Sequence, residues 1–464
     1  MRIQNLGPIK DARIKMNRMT VLVGANGMGK TLAAYSLFAF RNWLETSFKP
    51  DVVSTKDTKK LLTDKQLILP VDTCAEKVRE QVLAEFNELN SNSDYFVNFF
   101  RDSEVYVKGK TKIEIEKADV DEKQFQSNAL AGSRWRLNDF NDFNNVGGLN
   151  KKNYNIVRVE LDELSSSLVA TYEGIEINDI DNSMINEFTS SVNGIIKEII
   201  LDPSSSFYMP AERIGINVFR TQLNNQIIND IFRNPSHIVD EKTNYVERYP
   251  YPIEAYLKFI NNALSSISSS GQKQDLSLFV SVDTAEIIKR LIPGEFTYNR
   301  DTNTLAYNLS DTKEQRSELT FNLLSSSLKS LFGIDLFLKN LKEGSTLFID
   351  EPEMNLHAAR QKDIIDVLYT LIPSAINTVL STHSDYLVKA LINNMLKSKL
   401  EGHPETAESV SVYQFKDGTI EDLGDISDEQ SNLDNFDATT DAINDEYYDL
   451  MEKLANKSGD QHER

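Results

Sequence analysis

The chain has 464 residues, 40% of them hydrophobic and 26% charged, with a net charge of −20. That length holds two or three structural units and a large core, and so acidic a balance repels nucleic acid on average while leaving room for a local basic groove. The single cysteine, Cys74, excludes an internal disulfide and fits a reducing cytoplasm, and neither a signal-peptide core nor a bilayer-spanning run of ~20 apolar residues is present.

Apolar and polar residues alternate from Ile3 to Met16, which predicts a strand or hairpin. MTVLVG (Met19–Gly24) predicts a buried strand ending in glycine, and a helical pattern follows from Lys30 to about Trp43. From 45 to 204 the texture changes to an inserted α+β segment. In it CAEKVREQVLAEFNEL predicts a helix, whereas SEVYVKGKTKIEIEKA and NYNIVRVELDELSSSLVATYEGIEI predict strands with polar turns. SRWRLNDFNDFNNVGGLNKKN, rich in Asn, Asp and Gly, predicts a loop.

After SSFYMPAERIGI, helices are expected near 219–233 and 252–267, and SSISSSGQKQDLS is the best internal linker. GEFTYNRDTNTLAYNL predicts a hairpin turning near Asp301–Asn303. A strand ending in TLFIDEPE, a helix and a strand ending in NTVLSTHS then suggest a parallel α/β sheet through 205–404. Beyond 405 a small β element, an acidic segment and a helix near Thr440–Leu454 close the chain.

GANGMGKT (Gly24–Thr31) fits G-x-x-x-x-G-K-[ST] and sits between a predicted strand and helix, the context that motif requires. Its backbone N–H groups, from Gly24 through Ala25, Asn26, Gly27, Met28 and Gly29, can cradle phosphate at a helix N-terminus. Lys30 supplies a cation for the β- and γ-phosphates, and the Thr31 hydroxyl can ligate Mg²⁺. The bland alternative, a glycine-rich turn, does not explain that context.

STLFIDEPEMNLH places Asp350 and Glu351 at the C-terminal end of a strand, where ligands bind in such sheets. Asp350 would hold Mg²⁺, directly or through water, and Glu351 would polarise the attacking water. Alone, such a pair also suits a solvated strand end; beside a phosphate loop it points to catalysis. Glu353 has a plainer reading, a carboxylate favoured by a helix N-terminus.

INTVLSTHSDYL ends the next strand at His383. A lone histidine more often satisfies a local hydrogen bond, but in a parallel sheet this one lands beside the carboxylates and can reach a γ-phosphate. His357 is read as a subunit contact or a first-turn helix residue. Of the serine triplets, those beginning at Ser165, Ser204 and Ser268 lack context, whereas Ser325, Ser326 and Ser327 precede an apolar helix leading into the carboxylate strand. They make a second anion site, best explained as reading the γ-phosphate held by another subunit.

Phosphate loop, serine motif, carboxylate pair and histidine, in that order, resemble an ABC-type ATPase head with a mixed sheet, in the SMC, RecF and OLD-like branch. FIDEPEMNLH and STHSDYL are similar to the E-P-E-x-x-L-H and T-H-S patterns of OLD-like and stand-alone antiphage-defence ATPases of the PARIS, Septu and retron-associated types. YMPAER (Tyr208–Arg213) resembles a segment of the same proteins. The resemblance covers about 1–40 and 205–395. It implies ATP and Mg²⁺, slow turnover, and a homodimer or higher homo-oligomer in which Ser325–Ser327 is the signature loop closing on a partner's ATP. It also implies a cytoplasmic protein with a separate toxic effector, a nuclease among the candidates, and a phage-derived trigger.

The departures are LLSSSLK in place of L-S-G-G-Q, Met28 where small residues are common, and Ala358 after LH where proline is frequent. No glutamine-bearing loop is evident, and Glu212 and Arg213 are its stand-ins. The residues after STHSDYL are too few for the Toprim domain of OLD nucleases, and five scattered histidines make a zinc site improbable. A RecF-like DNA-maintenance clamp is the alternative, with Arg134–Arg136 as its best basic candidate. A transporter subunit fits poorly with the long insertion.

Overall fold

The computed structural model describes residues 1–120, 135–136, 156–162, 166–173, 181–201, 205–225, 249–270, 281–309, 318–342, 344–428 and 445–448. A nine-stranded sheet is its centre. In chain order its strands are β1 (Arg2–Leu6), β2 (Ile9–Arg13), β3 (Met19–Val23), β5 (Lys112–Glu114), β9 (Ser206–Met209), β13 (Thr346–Asp350), β14 (Asn377–Thr382), β15 (Val410–Lys416) and β16 (Thr419–Asp422). They lie in the order β5-β1-β2-β16-β15-β3-β14-β13-β9. From β15 to β9 neighbours run parallel, and the β1–β2 hairpin and the β15–β16 pair add antiparallel strands.

The parallel strands are largely apolar and buried because both faces are covered. Side chains alternate by twos between the faces. Leu22, Phe348, Val379 and Tyr208 face helix α1 (Lys30–Thr46), where Phe38 meets Tyr208 and Phe348 at ring-centroid distances of 5.2 and 5.4 Å. Met19, Val21, Val23, Leu347, Ile349 and Leu380 belong to the opposite core.

The α1 side also carries the elements between residues 55 and 201. Helices α2 (Thr55–Asp64), α3 (Val71–Asn92) and α5 (Asn182–Leu201) pack against an antiparallel sheet, and α4 (Tyr95–Phe100) packs on α3. Its strands are β4 (Gln66–Pro70), β6 (Trp135–Arg136), β7 (Ile156–Asp162) and β8 (Ser167–Glu173), in the order β4-β8-β7-β6. Cys74, Val78, Val82 and Phe86 recur every four residues on α3 and form its buried stripe. Phe86 packs 4.9 Å from Phe40 and 5.4 Å from Trp43, so α3 and α1 share one hydrophobic cluster.

The other side holds α6 (Arg213–Val218), α7 (Tyr251–Ser270), α8 (Val282–Leu291) and α9 (Ser326–Lys339). Helices α10 (Ala358–Thr370), α11 (Asp385–Leu400) and α12 (Pro404–Glu408) complete it. Beside them β10 (Gly294–Asn299) and β11 (Thr304–Leu309) form the expected hairpin, joined by β12 (Glu318–Thr320).

Several elements differ from expectation. Only Lys112–Glu114 of 103–118 is a strand, because Asp102 Oδ1 accepts from the N–H groups of Glu104 and Val105 at 2.8 and 3.1 Å and bends the chain into turns. The proposed linker is helical as far as Ser270, carried by the buried stripe Tyr256, Leu257, Ile260, Ala263 and Leu264; its remainder lies outside the described residues. The β element beyond 405 joins the main sheet, with Val410–Gln414 in parallel register against Met19–Val23. Helical structure near 219–233 is described only to residue 225, Arg134 is not described, and neither are most of the acidic segment and final helix.

Candidate functional site

The phosphate loop leaves β3 and enters α1. Two of its glycines have no substitute. Gly24 adopts φ 141°, and a Cβ there would lie 2.8 Å from the Phe415 carbonyl oxygen. Gly29 adopts φ 97°, with a Cβ 2.6 Å from Ile9 Cγ1. The left-handed backbone and close approach both require glycine. Met28 packs against the α1-side core, which accounts for a bulky residue in this loop. Ala25, Asn26, Gly27 and Thr31 are exposed, and Thr31 stands in the first turn of α1 among N–H groups with no intrahelical acceptor.

Lys30 is buried and donates from Nζ to the carbonyls of Gly24 and Ala25, at 2.7 and 2.9 Å. Burial lowers its pKa below the ordinary 10.5, and Glu351, Glu353 and Asp350, in that order, oppose the shift. All three carboxylates therefore act on this ammonium group.

Asp350 closes β13 and is 1% exposed. The parallel register sets it opposite Ser381, whose Oγ donates to Oδ1 at 2.6 Å, while Tyr208 OH donates to Oδ2 at 2.6 Å. Desolvation raises its pKa from 3.8 to about 6, against the pull of both hydrogen bonds and reinforced by Glu212 and Glu351. Glu212 is exposed and acts on Asp350 only through this repulsion.

Glu351 follows at φ 46°, a left-handed conformation unusual outside glycine. Two contacts hold it there. Its N–H donates to the Ser381 carbonyl at 3.0 Å, and Arg213 Nη2 donates to its own carbonyl at 2.8 Å. Its side chain is 25% exposed.

Arg213 is not a metal-loop stand-in. Its guanidinium is fully buried and donates to Ser330 Oγ at 3.0 Å and to the Asp350 carbonyl at 2.8 Å as well. A cation whose donors all point at carbonyls and a hydroxyl braces the chain and cannot ligate Mg²⁺. Glu353 is likewise not a helix N-terminal carboxylate, because α10 begins only at Ala358. It is buried, and its Oε1 accepts from Thr382 Oγ1 at 2.7 Å and from the His383 N–H at 3.0 Å.

His383, just past β14, has Nδ1 3.7 Å from Glu351 Oε1 and 3.6 Å from Glu353 Oε1. His357 is exposed at the position before α10. Ser325 caps α9, its side chain accepting from the Leu328 N–H at 3.3 Å. Ser326 is exposed and Ser327 half-buried. One turn on, Ser330 donates to the Met354 carbonyl at 3.1 Å, which ties the serine helix to the turn after Glu351.

The structure thus brings Lys30, Asp350, Glu351, Glu353 and His383 together and sets the serines on a separate helix braced to them. Sequence reasoning missed Tyr208, Ser381 and Thr382. The last two were readable as the polar end of an otherwise apolar strand; Tyr208 lay within YMPAER without a visible task. The described residues include no group of three or more His, Cys, Asp or Glu side chains that could hold a metal ion. No helix among them is long and apolar enough to cross a membrane.

Among solved structures, the chain is similar to an SMC head domain with an extended coiled coil bound to the C-terminal domain of ScpA from Pyrococcus furiosus. Identity is 12% over 91% of this chain and 94% of that one, with a TM-score of 0.33. An SMC head bound to the C-winged helix domain of ScpA gives 11% over 91% and 96%, with a TM-score of 0.35. The SMC head domain from Thermotoga maritima gives 10% over 91% and 97%, with a TM-score of 0.29. No curated protein matches. The family model described as an AAA ATPase domain matches residues 1–388, and the chain belongs to that family.

Proposed function

We propose that this chain binds ATP with Mg²⁺ and hydrolyses it, two copies meeting head to tail so that the serine helix of each faces the nucleotide of the other. The observation that carries the reading is the convergence of Lys30, Asp350, Glu351 and His383 at the same ends of three adjacent parallel strands, β3, β14 and β13. Phosphate oxygens would replace the Gly24 and Ala25 carbonyls on Lys30. Glu351, partly exposed beside the buried Asp350, is placed to accept a proton from water, and His383 to donate to the γ-phosphate. Thr31 and Asp350 would hold Mg²⁺. Both Asp350 oxygens already accept hydrogen bonds from neighbours, which favours contact through water. When bound, the cation neutralises charge on the transferring phosphoryl group.

The finer reading makes this ATPase the sensor or scaffold of an antiphage defence system that restrains a separate toxic effector. Its support is the similarity of FIDEPEMNLH and STHSDYL to OLD-like defence ATPases.

Lys30→Ala should lose ATP binding, read by calorimetry; normal affinity would sink the phosphate-loop assignment. Glu351→Gln should bind ATP and hydrolyse it poorly, so the tagged variant recovered with ATP from its native host should bring its partner along. A co-purifying nuclease or other toxin supports the defence reading. DNA with repair proteins and no effector would replace it with a RecF-like maintenance role.

A further inference from the structure

The Glu353 carboxylate is 6% exposed, and its Oε2 is buried with no hydrogen-bond partner among the described residues. Both donors to this side chain, Thr382 Oγ1 and the His383 N–H, reach Oε1. A neutral amide could accept both bonds through one oxygen without burying a charge. The negative charge therefore has some other object, and the groups that face it are Lys30, Arg213 and His383. Arg213 already spends its donors on carbonyls and Ser330. Lys30 is held on its own loop. His383 remains, with Nδ1 3.6 Å from Oε1.

We propose that Glu353 is the positioning residue for His383: Oε1 pins the backbone where β14 ends, and the carboxylate beside Nδ1 fixes the ring so that Nε2 faces the nucleotide. A carboxylate beside one ring nitrogen of a histidine favours the tautomer with its N–H on that nitrogen and sets the orientation of the ring. Thr382 belongs to the same device. Its hydroxyl donates to Oε1 and accepts from the Ser384 N–H at 3.0 Å, so one oxygen organises three successive residues of the histidine turn. The inference deepens the ATPase reading, because it assigns how that site presents its histidine.

The test uses the full chain. Glu353→Gln retains an acceptor for the two donors and removes the charge. Its affinity for ATP with Mg²⁺ should stay at the wild-type level while kcat falls on the order of 10²-fold, the usual consequence of misplacing a reacting group by about 1 Å. The ¹⁵N signals of the His383 ring, assigned in histidine-labelled protein against His383→Gln, should shift toward the other tautomer. Wild-type kcat with unchanged His383 signals overturns the inference. If Glu353→Gln does not melt cooperatively, Thr382→Val removes one donor from outside the carboxylate; it should lower kcat and move the same signals, and unchanged signals are again the refuting result. Should the wild-type chain fail to hydrolyse ATP, the functional reading falls, while the His383 signals of Glu353→Gln still decide the positioning claim.

Discussion

At the scale of single residues, Asp350 pulls against the fold that carries it. Burial moves its pKa from 3.8 to about 6. Between those values the folded chain holds a proton that the unfolded chain has released, so stability falls as pH rises from about 4 to about 6 and is level above. The ionised carboxylate thus destabilises the nucleotide-free protein by about 3 kcal/mol above pH 6. Asp350→Asn removes that term, though its amide must then meet one of two hydroxyls. The gain in Tm over wild type, without nucleotide, should be larger at pH 7.5 than at pH 4.5, a difference on the order of a few degrees. An equal gain at both pH values would mean that the charge is already compensated in the empty site. Strain at Glu351 points the same way: a left-handed residue costs about 1–3 kcal/mol and persists only where its surroundings over-determine it.

Those surroundings belong to the scale of elements, and Arg213 is their centre. From the first residue of α6 its guanidinium reaches Ser330 on α9, the carbonyl of Asp350 at the end of β13 and that of Glu351 just beyond it. Burial lowers its pKa, while Tyr256, Glu353, Asp350 and Glu351 act to raise it. Arg213→Met should lower stability by on the order of 3 kcal/mol, since buried carbonyls are left without donors, and Arg213→Lys should restore only part of it because an ammonium cannot span the same acceptors. Chemical denaturation midpoints decide this; a loss near zero for the methionine variant would show that water replaces the guanidinium. The sequence placed Arg213 in a metal loop because only its polarity was visible there, while its burial depends on α9, more than a hundred residues away. The same reason hid Tyr208, which meets Asp350 across 142 positions. In the sequence Glu353 reads as a carboxylate favoured by a helix N-terminus; the turn through Asn355 at φ 62° delays α10 until Ala358. What was legible is what local sequence encodes: GANGMGKT within one strand-loop-helix, the hairpins, and the apolar strands ending in chemistry. The pairing of β15 with β3 joins positions almost four hundred residues apart and that of β1 with β5 about a hundred, and neither left a local mark.

For the whole molecule, charge sets the terms on which two copies can meet. Each carries −20, so closing one on another brings like charges together. The face that would close exposes apolar side chains beside the functional turns: Leu323 before the serines, Met354 after Glu351 and Tyr386 after His383, at 75%, 38% and 64% exposure. Burying them favours association at any ionic strength, whereas the repulsion weakens as the Debye length shrinks from about 10 Å at 0.1 M salt to about 3 Å at 1 M. Glu351→Gln with ATP and Mg²⁺ should therefore sediment as a dimer, and its dissociation constant should fall as salt rises. Adding Ser326→Trp should hold the chain monomeric while leaving its own ATP bound, because the bulky ring would occupy the position assigned to the partner's γ-phosphate. A DNA clamp predicts the opposite salt response for its DNA complex, since each neutralised phosphate releases counterions and binding weakens with salt. Sedimentation of the same variant with and without duplex DNA, across one salt series, separates the two. ATP-dependent dimers that tighten with salt and ignore DNA fit an acidic molecule closing on itself; salt-labile complexes that form only with DNA would place the functional surface elsewhere.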